Sequence, residues 1–219
     1  MIITIDGPAA AGKGTLAATL AKRFGLAYFD TGMVYRAVGL EMVLEHLDIN
    51  DEIQAESVAK NLTFVKMMEL SKHPDFRSDI GSKAASVVSA HPKVRAALLK
   101  MQQDFALKPT FADGTPAQGA IYDGRDTGTV VCPNADRKLF VTASSEVRAQ
   151  RRFDEFVQKG IDTTYEKVLA DMIARDKRDA ERATAPMKPA EDAIIFDTSA
   201  LNAAEVAAKV IEIIEQKKA

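Results

Sequence analysis

One cysteine, Cys132, is all the chain has in its 219 residues. A disulfide framework within the chain is therefore excluded, and such sparse usage fits a reducing compartment. Nowhere do roughly 18 or more apolar residues run together, the length that a membrane-spanning helix needs. An excess of one charge is also missing: the formal net charge is −2, so the global basic signature of a nucleic-acid binder is absent. The three histidines, His46, His73 and His91, fall in no motif and read as surface or core residues. No internal repeat, low-complexity tract or linker-like break in composition interrupts the chain. The first residues, Met1 to Asp6, lack the basic region and cleavage site of a signal peptide and read as a buried strand. The expected location is the cytoplasm, and a monomer is expected because no apolar interface stripe stands out.

What is present is an alternation of strand and helix signals, with 47% hydrophobic and 27% charged residues. That pattern predicts an α/β fold with a mostly parallel sheet. A chain of this length can bury a core without staples. Strands are expected near 2–6, 26–30, 119–123, 137–142 and 193–197, with Leu62 to Val65 as a further short strand outside the main sheet. Helices are expected over Lys13 to Phe24, with Gly25 at its C-terminal cap, from Thr31 to about His46, over 51–61, and over Ser82 to Ala90 and Pro92 to Leu107, the last two broken by His91-Pro92. Further helices are expected over about Ser145 to Val157, from Thr163-Thr164-Tyr165-Glu166 with capping-box spacing to about Glu181, and after Asn202 with Glu205. Residues 66–78 read as a surface loop or small insertion, and 108–118 as a loop rich in Pro, Gly and Thr. Tyr28 and Phe29 read as core.

The sharpest motif runs from Gly7 through Pro8, Ala9, Ala10, Ala11, Gly12, Lys13 and Gly14 to Thr15. Its G-x-x-x-x-G-K spacing, between a predicted strand and a predicted helix, is that of a phosphate-binding loop. Gly7 and Gly12 let the backbone turn tightly. Successive N–H groups then form a nest for anionic oxygens, and the helix N-terminus adds its dipole. Lys13 supplies a mobile point charge for β- and γ-phosphates. Gly14 stands where the strict motif has Ser or Thr, so Thr15 is the hydroxyl assigned to face magnesium. The plainer reading is a glycine-rich strand-to-helix turn. Taken alone, the motif says only that a nucleotide or phosphate binds.

Four further segments follow in order. They are Asp30-Thr31-Gly32-Met33-Val34-Tyr35-Arg36, Asp123-Gly124-Arg125-Asp126-Thr127-Gly128-Thr129-Val130-Val131, Ala143-Ser144-Ser145-Glu146 with Arg148, Arg151 and Arg152, and Arg175-Asp176-Lys177-Arg178-Asp179 with Arg182, Ala185 and Pro186. This set, after GKGT, closely resembles the bacterial cytidylate kinase family over essentially the whole chain, most weakly around 50–80. The resemblance implies a P-loop NTPase fold of three layers, a five-stranded parallel sheet with flanking helices, a monophosphate-binding region and a small mobile lid. The core would span about 1–36, 118–148 and 183–219, the monophosphate region about 37–117 and the lid about 149–182. The implied reaction moves the γ-phosphoryl of ATP, with Mg2+, onto CMP or dCMP. Arg36, Arg125 and Arg182 would hold the CMP phosphate. Thr31 stands where the family has serine, and Tyr35 would pack near the nucleotide. Ser86, Arg95 and Asp126 would read cytosine, and Arg175 and Asp179 would contact the ribose. Arg151 and Arg152 would reach the donor phosphates from the lid. Lys13, Arg125, Arg151, Arg152 and Arg182 would form the catalytic set.

These residue types suit the chemistry. Phosphoryl transfer needs two anions aligned and charge stabilised rather than covalent help. Guanidinium forks bind phosphate oxygens bidentately and stay charged. Plainer readings stand beside these: Asp126 as turn chemistry capping a helix, and Arg175 with Asp179, four apart, as a surface ion-pair face. The family commonly has a hairpin-bearing insertion before the segment matching Arg77 to Ser86, and 66–78 are too short and polar for one. The alternatives are a kinase for another monophosphate such as UMP or AMP, or a module that binds ATP without transferring phosphate.

Overall fold

The computed structural model describes residues 1–216, so the last three residues of the expected core lie outside the described part. In chain order the elements are β1 (Ile2–Asp6), α1 (Lys13–Phe24), β2 (Ala27–Asp30), α2 (Gly32–Leu44), α3 (Glu52–Asn61), α4 (Phe64–Leu70), α5 (Asp79–Val88), α6 (Pro92–Leu107), β3 (Ala120–Gly124), β4 (Arg137–Thr142), α7 (Ser145–Gln158), α8 (Tyr165–Glu181), β5 (Ile194–Asp197) and α9 (Ala203–Gln216). A 3-10 turn covers Pro74–Arg77 and a π turn Thr127–Val131. The strands form one sheet in the order β2-β3-β1-β4-β5, with parallel pairing of β1 to β3, β1 to β4 and β4 to β5.

The apolar run of β1 explains its central position, since a strand covered on both faces needs side chains that tolerate burial on both. Ile3 and Ile5 are fully buried, each worth about 1.5–3 kcal/mol of apolar transfer. They pack with Leu16, Ala17 and Leu20 of α1, Ile121 of β3, Leu139 and Val141 of β4, and Val206, Val210 and Ile214 of α9. Gly25 closes α1 at φ 64, its N–H donating to the Ala21 carbonyl, as a left-handed cap requires. α9 opens with the reciprocal pair expected from the sequence: Asn202 N–H donates to Glu205 Oε2, and Glu205 N–H to Asn202 Oδ1. Neighbouring strands diverge to opposite sides of β1, which puts a topological switch at its carboxyl end, the place where such sheets bind ligands. No described helix is long and apolar enough to cross a membrane.

The chain divides into two compact units, one built from residues 1–29 with those from 108 onward, the other Asp30–Leu107. The first carries the sheet, α1 and α7 to α9. The second is helical, with α2 packed on α5 and α3 on α6.

Several local expectations need correction. Leu62 to Val65 is no strand: the Thr63 hydroxyl accepts from Lys66 N–H at 3.1 Å and starts α4, so N-capping outweighs the β propensity of Phe64 and Val65. Within 66–78, α4 runs to Leu70 and a 3-10 turn covers Pro74–Arg77, with Phe76 buried, so the segment is mostly helical rather than a surface loop. Thr164, not Thr163, caps α8, accepting from Lys167 N–H at 3.3 Å. Thr31 occupies the N-cap of α2 but its side chain makes no capping bond. Phe29 is core, whereas Tyr28 is 39% exposed, because neighbours along a strand point to opposite faces.

Candidate active site

The loop after β1 is held open by its own covalent geometry. Gly7 has φ 143, and a Cβ there would lie 1.9 Å from the Val141 carbonyl oxygen. Ala10 (φ 57) and Gly12 (φ 91) are also left-handed. Gly12 takes the N-cap position of α1 without a side chain, so the first N–H groups of that helix are left to an anion. Lys13 folds back over the loop and donates to the Pro8 carbonyl at 2.8 Å. Its ammonium also lies 3.8 Å from Asp123 Oδ1. Burial lowers its pKa to about 8, helped by Arg125 and Arg175 and opposed by Asp123. Gly14 leaves room for Asp123 and Tyr28, whose hydroxyl donates to Asp123 Oδ2 at 3.3 Å. Thr15 is exposed on the first turn of α1.

The far side of the loop is fastened by α7 and by the segment after β5. The Thr198 hydroxyl donates to the Ala11 carbonyl at 3.1 Å. Arg151 grips Thr198, with Nη2 to its carbonyl at 2.8 Å and Nη1 to its hydroxyl at 3.1 Å. Arg148 is buried, and its guanidinium donates to the Ala143 carbonyl, the Ala9 carbonyl and Ser145 Oγ, and pairs with Asp176 of α8 at 2.7 Å. Ala9 and Ala10 rest against the small apolar cluster of Ala149, Val168 and Met172. Arg152 points elsewhere: it pairs with Glu155 at 2.8 Å along its own helix and lies over Phe156.

At the end of β3 a second polar cluster forms. Arg125 Nε donates to Asp179 Oδ2 at 3.1 Å, and Arg175 Nε lies 3.9 Å from the same oxygen. Arg182 Nη2 meets Asp126 Oδ1 at 3.5 Å, and its Nε donates to the Ala185 carbonyl at 2.6 Å. Asp126 and Asp179 are both buried. The i,i+4 pair of Arg175 and Asp179 is present at 3.9 Å, but it is not a surface face, because Asp179 is buried and also takes Arg125. Asp126 makes no capping bond with its side chain, so the capping reading fails. In this unit the structure brings Lys13, Arg125, Asp126, Arg175, Asp179 and Arg182 together, and it separates Arg152 from them.

In the helical unit, Arg36 on α2 donates to Ser82 Oγ at 3.0 Å and to the Phe76 carbonyl at 3.1 Å. The Arg95 guanidinium stacks 5.1 Å from the Tyr35 ring centroid and donates to the Ser89 carbonyl at 3.1 Å. Thr31, Ser86 and Arg95 are buried.

A phosphate cradle at the switch point, with a lysine and a cluster of guanidinium–carboxylate pairs on one unit, is the frame of a small-molecule kinase. The cytidylate kinase family model matches residues 3–216. A cytidylate kinase of Paramagnetospirillum magneticum is 49% identical over 217 residues, 99% of each chain. The chain belongs to the cytidylate kinase family. A second member of that family, from Xanthobacter autotrophicus, is 48% identical over 219 residues, covering 100% of this chain and 99% of its own. Among solved structures, an uncharacterized protein from Eubacterium ventriosum superposes with a TM-score of 0.52 at 15% identity, over 99% of this chain and 98% of that one; the likeness is one of fold.

Cytidylate kinase membership leaves some residues that the motifs did not single out. Ser82 meets Arg36, and its only sequence signal is its spacing of four from Ser86 on one helical face. Thr198 follows the last strand with no motif at all. Arg148 stood in the arginine run, but nothing in the run's spacing distinguishes the buried Arg148 from the half-buried Arg151 and Arg152. The segment expected to lack a hairpin does lack one: among the described residues no strand lies between β2 and β3.

Proposed function

We propose that the chain transfers the γ-phosphoryl group of ATP to CMP or dCMP, giving ADP and CDP or dCDP, as a monomer in the cytoplasm. An acceptor phosphate oxygen attacks the γ-phosphorus, and the bond to the β–γ bridging oxygen breaks with its electron pair leaving on ADP. No general base is needed, since the attacking oxygen is already anionic. The observation that carries the reading is the cradle itself: Gly12 caps α1 without a side chain, and the buried Lys13 folds over the loop 3.8 Å from Asp123 of β3, the strand that leads directly to Arg125. An ATP-binding module without transfer has no need of the second cluster around Asp126 and Asp179.

In this reading Gly7 to Thr15 cradle the ATP phosphates, Arg151 supports the donor side, and Arg125 and Arg182 hold the acceptor phosphate with Arg36. Tyr35 packs near the acceptor nucleotide, with Thr31, Ser86 and Arg95 lining its site, and Arg175 with Asp179 contacts the ribose. Arg152 reaches the donor phosphates only by leaving Glu155. Asp126 accepts a hydrogen bond from the cytosine 4-amino group, a donor that uracil lacks, and this favours CMP over UMP. The Thr15 hydroxyl, exposed where α1 begins, is the side chain that would hold Mg2+ together with the ATP phosphates, since magnesium characteristically keeps waters and phosphates as most of its ligands. Bound there, it would neutralise charge across the β- and γ-phosphates.

Replacing Asp126 by alanine tests the acceptor assignment. Loss of this contact costs about 1–3 kcal/mol, so the CMP Michaelis constant should rise roughly tenfold or more while that for ATP stays put. An unchanged CMP constant removes Asp126 from the acceptor site.

A further inference from the structure

Asp6 ends β1, directly before the phosphate loop, and is 4% exposed. Its carboxylate is saturated by one short segment. Oδ1 accepts from Thr127 N–H at 2.7 Å and from Thr127 Oγ1 at 2.8 Å, and Oδ2 accepts from Gly128 N–H at 2.7 Å. Those two residues open the π turn that follows Arg125 and Asp126. On its other side, this dipeptide is fixed by the sheet, where Gly124 is the register partner of Asp6 itself. One residue therefore holds both flanks of Arg125-Asp126, by its backbone on the Gly124 side and by its carboxylate on the Thr127 side.

The approach is close enough to demand glycine at 128. A Cβ there would stand 2.8 Å from Thr4 Oγ1 and 3.4 Å from Asp6 Oδ2. Three donors converging on one group also demand a carboxylate, because an ionised aspartate only accepts, whereas an amide presents two N–H donors of its own. Burying a carboxylate is costly unless such bonds satisfy it; burial raises the pKa of Asp6 and the bonds from Gly128 and Thr127 oppose the rise.

We infer that Asp6 is a positioning residue, which contacts neither nucleotide and aims Arg125 and Asp126 at the acceptor by gripping the turn behind them. The inference rests on the proposed reading of Asp126 as the group that recognises cytosine. Because the backbone of Asp6 also leads into Gly7, the same residue sets the acceptor reader against the donor loop.

Two variants, Asp6→Asn and Thr127→Val, test it through steady-state constants for CMP, UMP and ATP alongside thermal unfolding. The amide of Asp6→Asn turns a donor towards a donor, so its CMP Michaelis constant should rise about tenfold or more while that for ATP changes less than about twofold. Preference for CMP over UMP should fall in parallel. Thr127→Val removes one hydroxyl donor, keeps the shape, and should move the same quantities in the same direction by roughly two- to fivefold. If both variants lower the melting temperature yet leave the CMP-to-ATP ratio of Michaelis constants and the CMP preference unchanged, Asp6 is merely structural and the inference is overturned. Should Asp6→Asn fail to fold, Thr127→Val decides alone on the same criteria. Asp126→Ala separates the two ideas. An unchanged CMP constant there removes Asp126 as reader and the inference with it; a raised one, with Asp6→Asn and Thr127→Val silent, overturns the inference alone.

Discussion

Lys13 carries the most quantitative consequence of the site. Burial first, and Arg125 second, lower its pKa from 10.5 to about 8, a gap equivalent to about 3 kcal/mol by which folding disfavours the ammonium form. For the unliganded protein this penalty is fully present below about pH 8 and is relieved between about 8 and 10.5, because there the unfolded chain still holds the proton that the folded chain has released, and stability rises with pH. Binding of ATP should reverse the balance, since phosphate oxygens beside the ammonium favour its charged form. The assay is a pH series of initial rates at saturating CMP. The ratio kcat/KM for ATP reports the free protein and kcat the complex. The former should fall on an alkaline limb with an apparent pKa of about 8, and the limb in kcat should lie at least about one pH unit higher. In Lys13→Arg, whose guanidinium does not titrate in this range, the residual activity should show no such limb. A flat kcat/KM to about pH 9.5, or the same limb in the arginine variant, would refute Lys13 as the titrating phosphate contact.

Two further perturbations probe the loop's supports. Arg148→Met strips the buried partner from Asp176 and leaves the Ala9 and Ala143 carbonyls without their guanidinium donor; breaking such a pair costs about 3–5 kcal/mol, read as a lowered urea midpoint, and a loss below about 1 kcal/mol would match only a surface pair. Gly7→Ala places a methyl 1.9 Å from the Val141 carbonyl oxygen. ATP titration should find binding abolished, and near-normal affinity would contradict the tight passage of the loop under β4.

The sequence signals that worked were those that act locally. Loop spacing, the Gly25 cap and the Asn202–Glu205 box each need only neighbours along the chain, and each appears as expected. Buried strands were legible because β1, β3 and β4 are apolar runs with no competing helical period. The misread segment 62–65 shows why one local signal can lose to another. Phe64 and Val65 carry strand propensity, but one hydroxyl at Thr63 was enough to begin a helix, and nothing in the run itself announces that competition. The site shows the same division. Anion-binding residue types and their order were readable, yet the burial of Arg148 and the outward turn of Arg152 depend on which face of α7 meets the rest of the unit. Arg148, Arg151 and Arg152 look alike in sequence. The grip of Asp6 on Thr127 and Gly128 spans 121 positions and has no local signature beyond a glycine that cannot be anything larger.

Phosphorylation of cytidine monophosphates by this chain is read from coupled ADP release with CMP, dCMP, UMP and AMP supplied separately at equal concentration with Mg2+ and ATP. Turnover is expected with CMP and dCMP at a kcat/KM at least roughly tenfold above UMP and AMP, because uracil lacks the amino donor that cytosine offers to Asp126 and adenine carries its own on a larger two-ring base. Equal rates with AMP, or ADP release with none of the four, would contradict it.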